Sequence, residues 1–330
     1  MDTSPQDPMG FKQRTDLEPV KQKLDEIRRQ LGRVIVGQES LIDDLLAVLL
    51  SGGHALIEGM PGVAKTLAAK LLAKTMKADF SRIQFTPDLM PADILGTSVF
   101  NPEKAVFEFK PGPVFSQIIL IDEINRAPAK TQAALFEVME ERQVTVDGHT
   151  YPMHEPFMVL ATQNPVEQEG TYRLPEAQLD RFMFKIIASY PSENQEAEIL
   201  KRHHRKRLDD MLDEINPVVT AEEILRFREL TRSIRVEDDI LQYIARIVTS
   251  TRQHPLLFLG ASPRASLALM QAAKAYALME GRDFVTPEDV KRNAVPVLNH
   301  RIIVKPEKEM EGVTPSDVIA QILDHAQVPR

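Results

Sequence analysis

The chain predicts an α/β fold, a parallel five-stranded sheet flanked by helices, with a C-terminal all-helical domain, and two observations lead there. The first is a set of apolar runs, HALIEG, RIQF, QIILIDE, FMVLATQ and FMFKII, separated by helical patterns. Each run is four to eight residues, rich in Ile, Val, Leu or Phe and apolar on both faces, as strands covered on both sides by helices must be. The second is that strand signals stop after Tyr190-Pro191 and helix punctuation takes over. Ser192, Thr220, Thr286 and Thr314 are expected N-caps, with Pro287 and Pro315 at first helical positions and Thr220/Glu223 spaced as a capping box. Gly281 fits the stop of a helix that begins near Pro263. Residues 1–15 read as a polar leader before a helix over about 17–31. The expected division is residues 1–190 for the sheet domain and 191–330 for the helical one.

Composition narrows the function classes. The chain has 330 residues, a formal net charge of -8, 43% hydrophobic and 27% charged residues, and no cysteine. The acidic balance disfavours broad attraction to nucleic acid or to an anionic membrane. Without cysteine there are no disulfides and no thiolate metal or redox sites. A signal-peptide pattern is lacking, and no apolar stretch reaches membrane-spanning length, so the expected location is the cytoplasm with no membrane insertion. The basic run KRHHRKR is followed at once by DDMLDE and reads as a solvated helix face; the eight histidines show no metal-ligand spacing.

The octet GMPGVAKT, Gly59 to Thr66, nearly matches G-x-x-x-x-G-K-[ST]. It lies between an expected strand and an expected helix, the setting in which loop N–H groups and a helix N-terminus hold phosphates. Ala64 occupies the second glycine position. At a helix start it is expected to take right-handed helical φ, where a methyl group is allowed. Lys65 would reach the β- and γ-phosphates and Thr66 would hold Mg²⁺. Further on, Asp122 and Glu123 end the run IILIDE, at the strand edge where open α/β sheets bind ligands. Asp122 would bind the Mg²⁺ shell and Glu123 would polarise a water molecule.

The segments VIVGQESLIDDLLAVLLSGGHALIEGMPGVAKT, LIDEINRAPAKTQAALFEVMEERQVTVDG, VLATQNPVEQEGTYRLPEAQLDRF and GASPRASLALMQAAKAYAL resemble those of MoxR-family ATPases of the AAA+ superfamily, across about residues 34–326. The resemblance implies a P-loop NTPase core, a helical AAA lid, and the cofactors ATP and Mg²⁺. The nucleotide-binding residues it implies are Val36, Gly37 and Gln38 at the adenine and Gly59, Met60, Pro61, Gly62, Val63, Ala64, Lys65, Thr66 and Leu67 around the phosphates. Thr66 and Asp122 would hold the metal. Glu123, Asn164, Arg181 and Arg264 would be catalytic, Asn164 as sensor 1, Arg181 as an arginine finger acting on a neighbour's ATP, and Arg264 as sensor 2. Arg173 competes with Arg181 for the finger.

The same resemblance implies self-association into a ring, usually a hexamer, and chaperone-like work on a protein client, often one with a von Willebrand factor A domain. Two readings from other classes stay open: a nucleic-acid-dependent motor or loader, and a nucleotide-dependent scaffold with little turnover. Two hairpins are expected within the core. One spans GTSVFNPEKAVFEFKPGPVF and the other RQVTVDGHTYPM, which turns at Asp147-Gly148. They would either contact clients or serve as plain surface hairpins.

Overall fold

The computed structural model describes residues 16–164, 172 and 174–329. In chain order the first part contains α1 (Glu18–Val34), α2 (Glu39–Ser51), β1 (Ala55–Gly59), α3 (Lys65–Thr75), β2 (Phe80–Gln84), α4 (Pro91–Leu95), β3 (Gly96–Asn101), β4 (Val106–Pro111), β5 (Ile118–Asp122) and α5 (Ala129–Glu141). It continues with β6 (Gln143–Val146), β7 (His149–Pro152), β8 (Met158–Gln163), α6 (Glu176–Leu179) and β9 (Phe184–Ala188). The rest comprises α7 (Glu193–Arg205), α8 (Leu208–Asp213), α9 (Ala221–Ser233), α10 (Asp238–Gln253), β10 (Leu257–Leu259), α11 (Pro263–Met279), α12 (Pro287–Leu298), β11 (Ile303–Val304), α13 (Pro306–Met310) and α14 (Pro315–His325).

All five expected strands form one parallel sheet in the order β2-β5-β8-β1-β9. Alternate side chains serve opposite faces, as a period of two requires. Ala55, Ile57, Ile118, Leu120, Met158 and Leu160 join a core with α1, α2, α3 and the C-terminal helices. Leu56, Ile119, Ile121, Val159 and Ala161 join a second core with α5 on the other face.

The expected N-caps Ser192, Thr220, Thr286 and Thr314 all cap helices, and Thr220 and Glu223 exchange the two bonds of a capping box. Gly281 takes φ 73° just past α11. The C-terminal part departs from pure helix in the short antiparallel pair of β10 and β11 and in a single bridge between Arg235 and Phe284. Leu257 and Val304, both buried, sit opposite each other in the β10–β11 ribbon, which runs too few residues to show a strand pattern in sequence.

Both hairpins form. β3 pairs with β4, and β6 pairs with β7 through Asp147 (φ 51°) and Gly148 (φ 77°), the two left-handed positions of a type I′ turn. They also pack on each other. Phe109 stacks on Tyr151 at 4.3 Å between centroids, and Ser98 Oγ donates to Asp147 Oδ2.

Candidate active site

Parallel strands place every strand's C-terminal end on one edge of the sheet, and the phosphate loop, Asp122, Glu123 and Asn164 all lie there. β1 ends at Gly59, directly beside Ala188 of β9. A Cβ at residue 59 would lie 2.6 Å from the Ala188 carbonyl oxygen, so this glycine is required by strand packing. Val63 is buried and anchors the loop, while Pro61 and Gly62 are exposed at its crown. Met60 is half-buried beside them, and Leu67 packs against the larger core from the first turn of α3, one residue after Thr66.

Ala64 corrects the expectation of a right-handed helical residue. It has φ 61° and ψ 18°, the left-handed region, and serves as N-cap while α3 begins at Lys65. The loop reverses just before its helix, and residue 64 makes that reversal. The pattern's glycine thus has a backbone reason, and alanine there carries a strain of about 1 kcal/mol.

Lys65 Nζ donates to the Gly59 carbonyl, closing the loop on itself. Partial burial lowers the lysine's pKa, and the negative charges of Asp122, Glu123 and Glu58 oppose that shift. Gln38 is buried and donates from Nε2 to the Ser189 carbonyl at 2.8 Å, which ties Val36-Gly37-Gln38 to the same sheet edge, next to Gly59.

Asp122 is the last residue of β5 and is 7% exposed. Its Oδ1 accepts from Thr162 Oγ1 at 3.1 Å and its Oδ2 from Arg82 Nε at 2.6 Å. Glu123 turns out of the strand with φ 55°. Its N–H donates to Thr162 Oγ1, and its Oε2 accepts from Gln84 Nε2 at 2.9 Å and Arg126 Nη1 at 2.8 Å. Thr162 therefore holds both acidic residues. Asn164 follows β8 immediately and leaves the sheet between β5 and β1, level with the phosphate loop.

Arg181 and Arg264 are elsewhere. Arg181 precedes β9, and register pairs Phe184 with Ala55 at the N-terminal end of β1. A five-residue strand of about 3.3 Å per residue separates that level from Gly59, roughly 15 Å. There Arg181 Nε donates to Glu140 Oε2 at 2.7 Å, and Arg264 Nη2, from the first turn of α11, donates to Glu140 Oε1 at 2.8 Å. These two hydrogen bonds hold the Glu140 carboxyl below the usual range. Arg264, read from sequence as part of one hydrolysis site, is thus separated from its own phosphate loop and grouped with Arg181. Arg173 lies outside the described residues.

The Asp180-Arg181-Phe182 segment is clamped from the helical domain. Arg301 is 9% exposed; its Nε donates to Asp180 Oδ1 at 2.7 Å, and its Nη atoms reach the carbonyls of Phe182, Met183 and Val297. His300 Nε2 donates to the Phe182 carbonyl at 2.9 Å, and burial keeps this imidazole neutral.

Sequence reasoning missed Arg82, Gln84, Arg126, Glu140, Thr162 and Arg301. Only Thr162 had a signal, being polar in the run MVLATQ two residues before Asn164. The others become partners through packing that no local pattern encodes.

A strand, phosphate loop and helix with a buried aspartate and an adjacent glutamate on the next strand but one define a nucleotide-binding ATPase core. Residues 54–184 match the ATPase family associated with various cellular activities, and residues 249–322 match the AAA lid domain. The chain is 46% identical to YeaC of Bacillus subtilis over 95% of its length and 96% of that protein. It is 43% identical to chaperone MoxR1 of Mycobacterium tuberculosis over 91% of its length and 81% of that protein. A crystal structure of a protein from Cytophaga hutchinsonii, assigned as an ATPase, superposes with a TM-score of 0.88 at 44% identity, covering 95% of this chain and 97% of that one. The chain belongs to the MoxR family of AAA+ ATPases.

Proposed function

We propose that this ATPase uses Mg²⁺ and ATP, assembles into a ring, and converts hydrolysis into chaperone-like work on a protein client. The observation that carries the reading is the separation of the two groups of residues. Lys65, Thr66, Asp122, Glu123 and Asn164 share one sheet edge, while Arg181 and Arg264 share the other. An arginine about 15 Å below its own phosphate loop is out of reach of its own nucleotide and is placed to meet that of a second copy, and head-to-tail contacts of that kind form a ring where the rotation closes.

Loop N–H groups and Lys65 would hold the phosphates, and Thr66 with Asp122 would hold the metal, which neutralises charge on the phosphate oxygens. The donor set fits. Asp122 is fixed by Thr162 and Arg82 near enough for its charge to act on Lys65 of the loop, and the crown of the loop is open. Glu123 polarises water once it leaves Gln84 and Arg126. Asn164 offers an amide to that water or to the γ-phosphate. Val36, Gly37 and Gln38 line the base.

The client role follows the name of MoxR1 as a chaperone and the exposed hairpin tip, where Phe107 and Phe100 are 72% and 49% exposed and pair at 5.3 Å. A von Willebrand factor A domain protein is the proposed client class, and the cytoplasm the proposed location; among the described residues no helix is long and apolar enough to cross a membrane. Glu123→Gln tests the hydrolysis reading. Turnover should fall by about 10²–10⁴-fold with ATP affinity kept, and unchanged turnover would refute the assignment. DNA or RNA should leave turnover unchanged; strong stimulation would favour a nucleic-acid motor.

A further inference from the structure

A cavity of about 350 Å³ lies where α9 and α11 of the helical domain meet the C-terminal end of α2. Its lining includes Arg142, Arg228, Arg232 and Lys274 and no carboxylate. Part of this positive charge has a structural role. Arg228 Nε donates to the Leu49 carbonyl at 2.9 Å and Arg142 Nη2 to the Gly52 carbonyl at 2.6 Å, placing cations at the negative end of α2. Glu155, behind them, accepts from both guanidiniums. Arg232 pairs with Glu229 at the surface.

These partners do not exhaust the site. Glu155 and Glu229 leave two of the four positive charges unmatched. Arg228 is 5% exposed, and its Nη2 is buried with no hydrogen-bond partner among the described residues. Lys274 Nζ donates to the Arg232 carbonyl at 2.9 Å, and no carboxylate pairs with it among the described residues. An oxyanion in the cavity answers the unmatched charge, with Lys274 and Arg232 as donors and the Arg228 guanidinium acting through its charge. Burial also lowers the pKa of Lys274, which an anion beside it would reverse.

We infer that this cavity is an anion site for a phosphate dianion, held by Lys274 and Arg232, with the charge of buried Arg228 behind them. A phosphate monoester carries about -1.5 to -2 charges near neutral pH, which matches the two unpaired cations. The volume exceeds a lone phosphate, and Leu50, Met270 and Thr231 offer apolar wall for an attached group. The cavity shares Ser51, Gly52, Arg142 and Gln271 with the pocket holding Arg181 and Arg264 but contains neither of those arginines.

The test uses the full chain carrying Lys65→Ala, which weakens phosphate binding at the nucleotide loop, and reads the site by the effect of Lys274→Gln in that background. Inorganic phosphate and ribose 5-phosphate are titrated by calorimetry at constant ionic strength, with chloride as the control. Saturable binding of either probe is expected, weakened tenfold or more by Lys274→Gln and severalfold by Arg232→Gln. Both side chains are exposed enough to be replaced without disturbing Leu49 or Glu155, which Arg228→Met would disturb. Binding of inorganic phosphate as tight as that of ribose 5-phosphate means that the phosphate group alone is recognised; tighter binding of the ester means that the apolar wall contributes. No saturable binding, or equal affinity in Lys274→Gln, overturns the proposal.

Discussion

Asp44 links stability to pH in a direction opposite to most carboxylates. It sits on α2 and accepts from Tyr276 Oη of α11 at 2.7 Å, joining the sheet domain to the helical one. Burial raises its pKa from 3.8 to about 6, outweighing the Tyr276 hydrogen bond and the nearby Arg292, both of which lower it. The folded state therefore holds this proton more tightly than the unfolded chain between pH 3.8 and about 6. Ionised Asp44 costs stability above that window, and the cost vanishes as pH falls through it. Two pKa units at about 1.4 kcal/mol each set the full cost at up to about 3 kcal/mol. Asp44→Asn removes the titration and keeps an acceptor for Tyr276. The stability of the variant relative to the parent should therefore improve by about 2–3 kcal/mol between pH 4 and pH 7.5, measured by urea unfolding at both. Buried His54, whose pKa burial lowers to about 4, acts with the opposite sign, losing stability as pH falls from 6.5, but it is common to both proteins and cancels in the difference. A variant-to-parent difference that stays constant with pH, or grows on acidification, would refute the reasoning.

Two further predictions concern the site. Ala64→Gly relieves the left-handed φ of 61°, a strain of about 1 kcal/mol, but adds unfolded-state entropy worth about 0.4–1 kcal/mol, so the chain should gain up to about 0.5 kcal/mol; a clear loss in urea midpoint would contradict the strain. Glu140→Gln weakens the hold on Arg181 and Arg264, a pair of partly exposed ion pairs each worth less than about 1 kcal/mol, so turnover should rise about two- to fivefold with KM little changed; a fall would show that the carboxylate orients the arginines rather than competing for them.

Much of the fold was legible because its signals are local. Apolar runs marked every sheet strand, and Thr220, Thr314 and Gly281 marked helix ends through short-range hydrogen bonds and backbone preference. The candidate site was legible where its residues are contiguous in the chain, as in Gly59–Thr66 and Asp122-Glu123. Partners at long range were not legible. Gln84 and Arg126 meet at Glu123 because β2 pairs with β5 and a 3-10 turn follows, and Glu140 meets Arg264 across 124 positions. The conformation of Ala64 was misread because a helix start and the residue preceding it differ by one position in sequence and by the sign of φ in structure. The β10–β11 ribbon, at three and two residues, is shorter than any period that could announce it.

The central claim is that one copy's Arg181 completes the neighbouring copy's hydrolysis site, and mixing two inactive variants tests it most directly. Lys65→Ala disables the phosphate loop and keeps the finger; Arg181→Ala does the reverse. In randomly assembled equimolar rings about a quarter of interfaces pair an intact loop with an intact finger, so ATP turnover should recover to roughly a quarter of the parent rate, although each variant alone is nearly inactive. A mixture that stays as inactive as its components, or an Arg181→Ala protein that turns over ATP at the parent rate, would contradict the account.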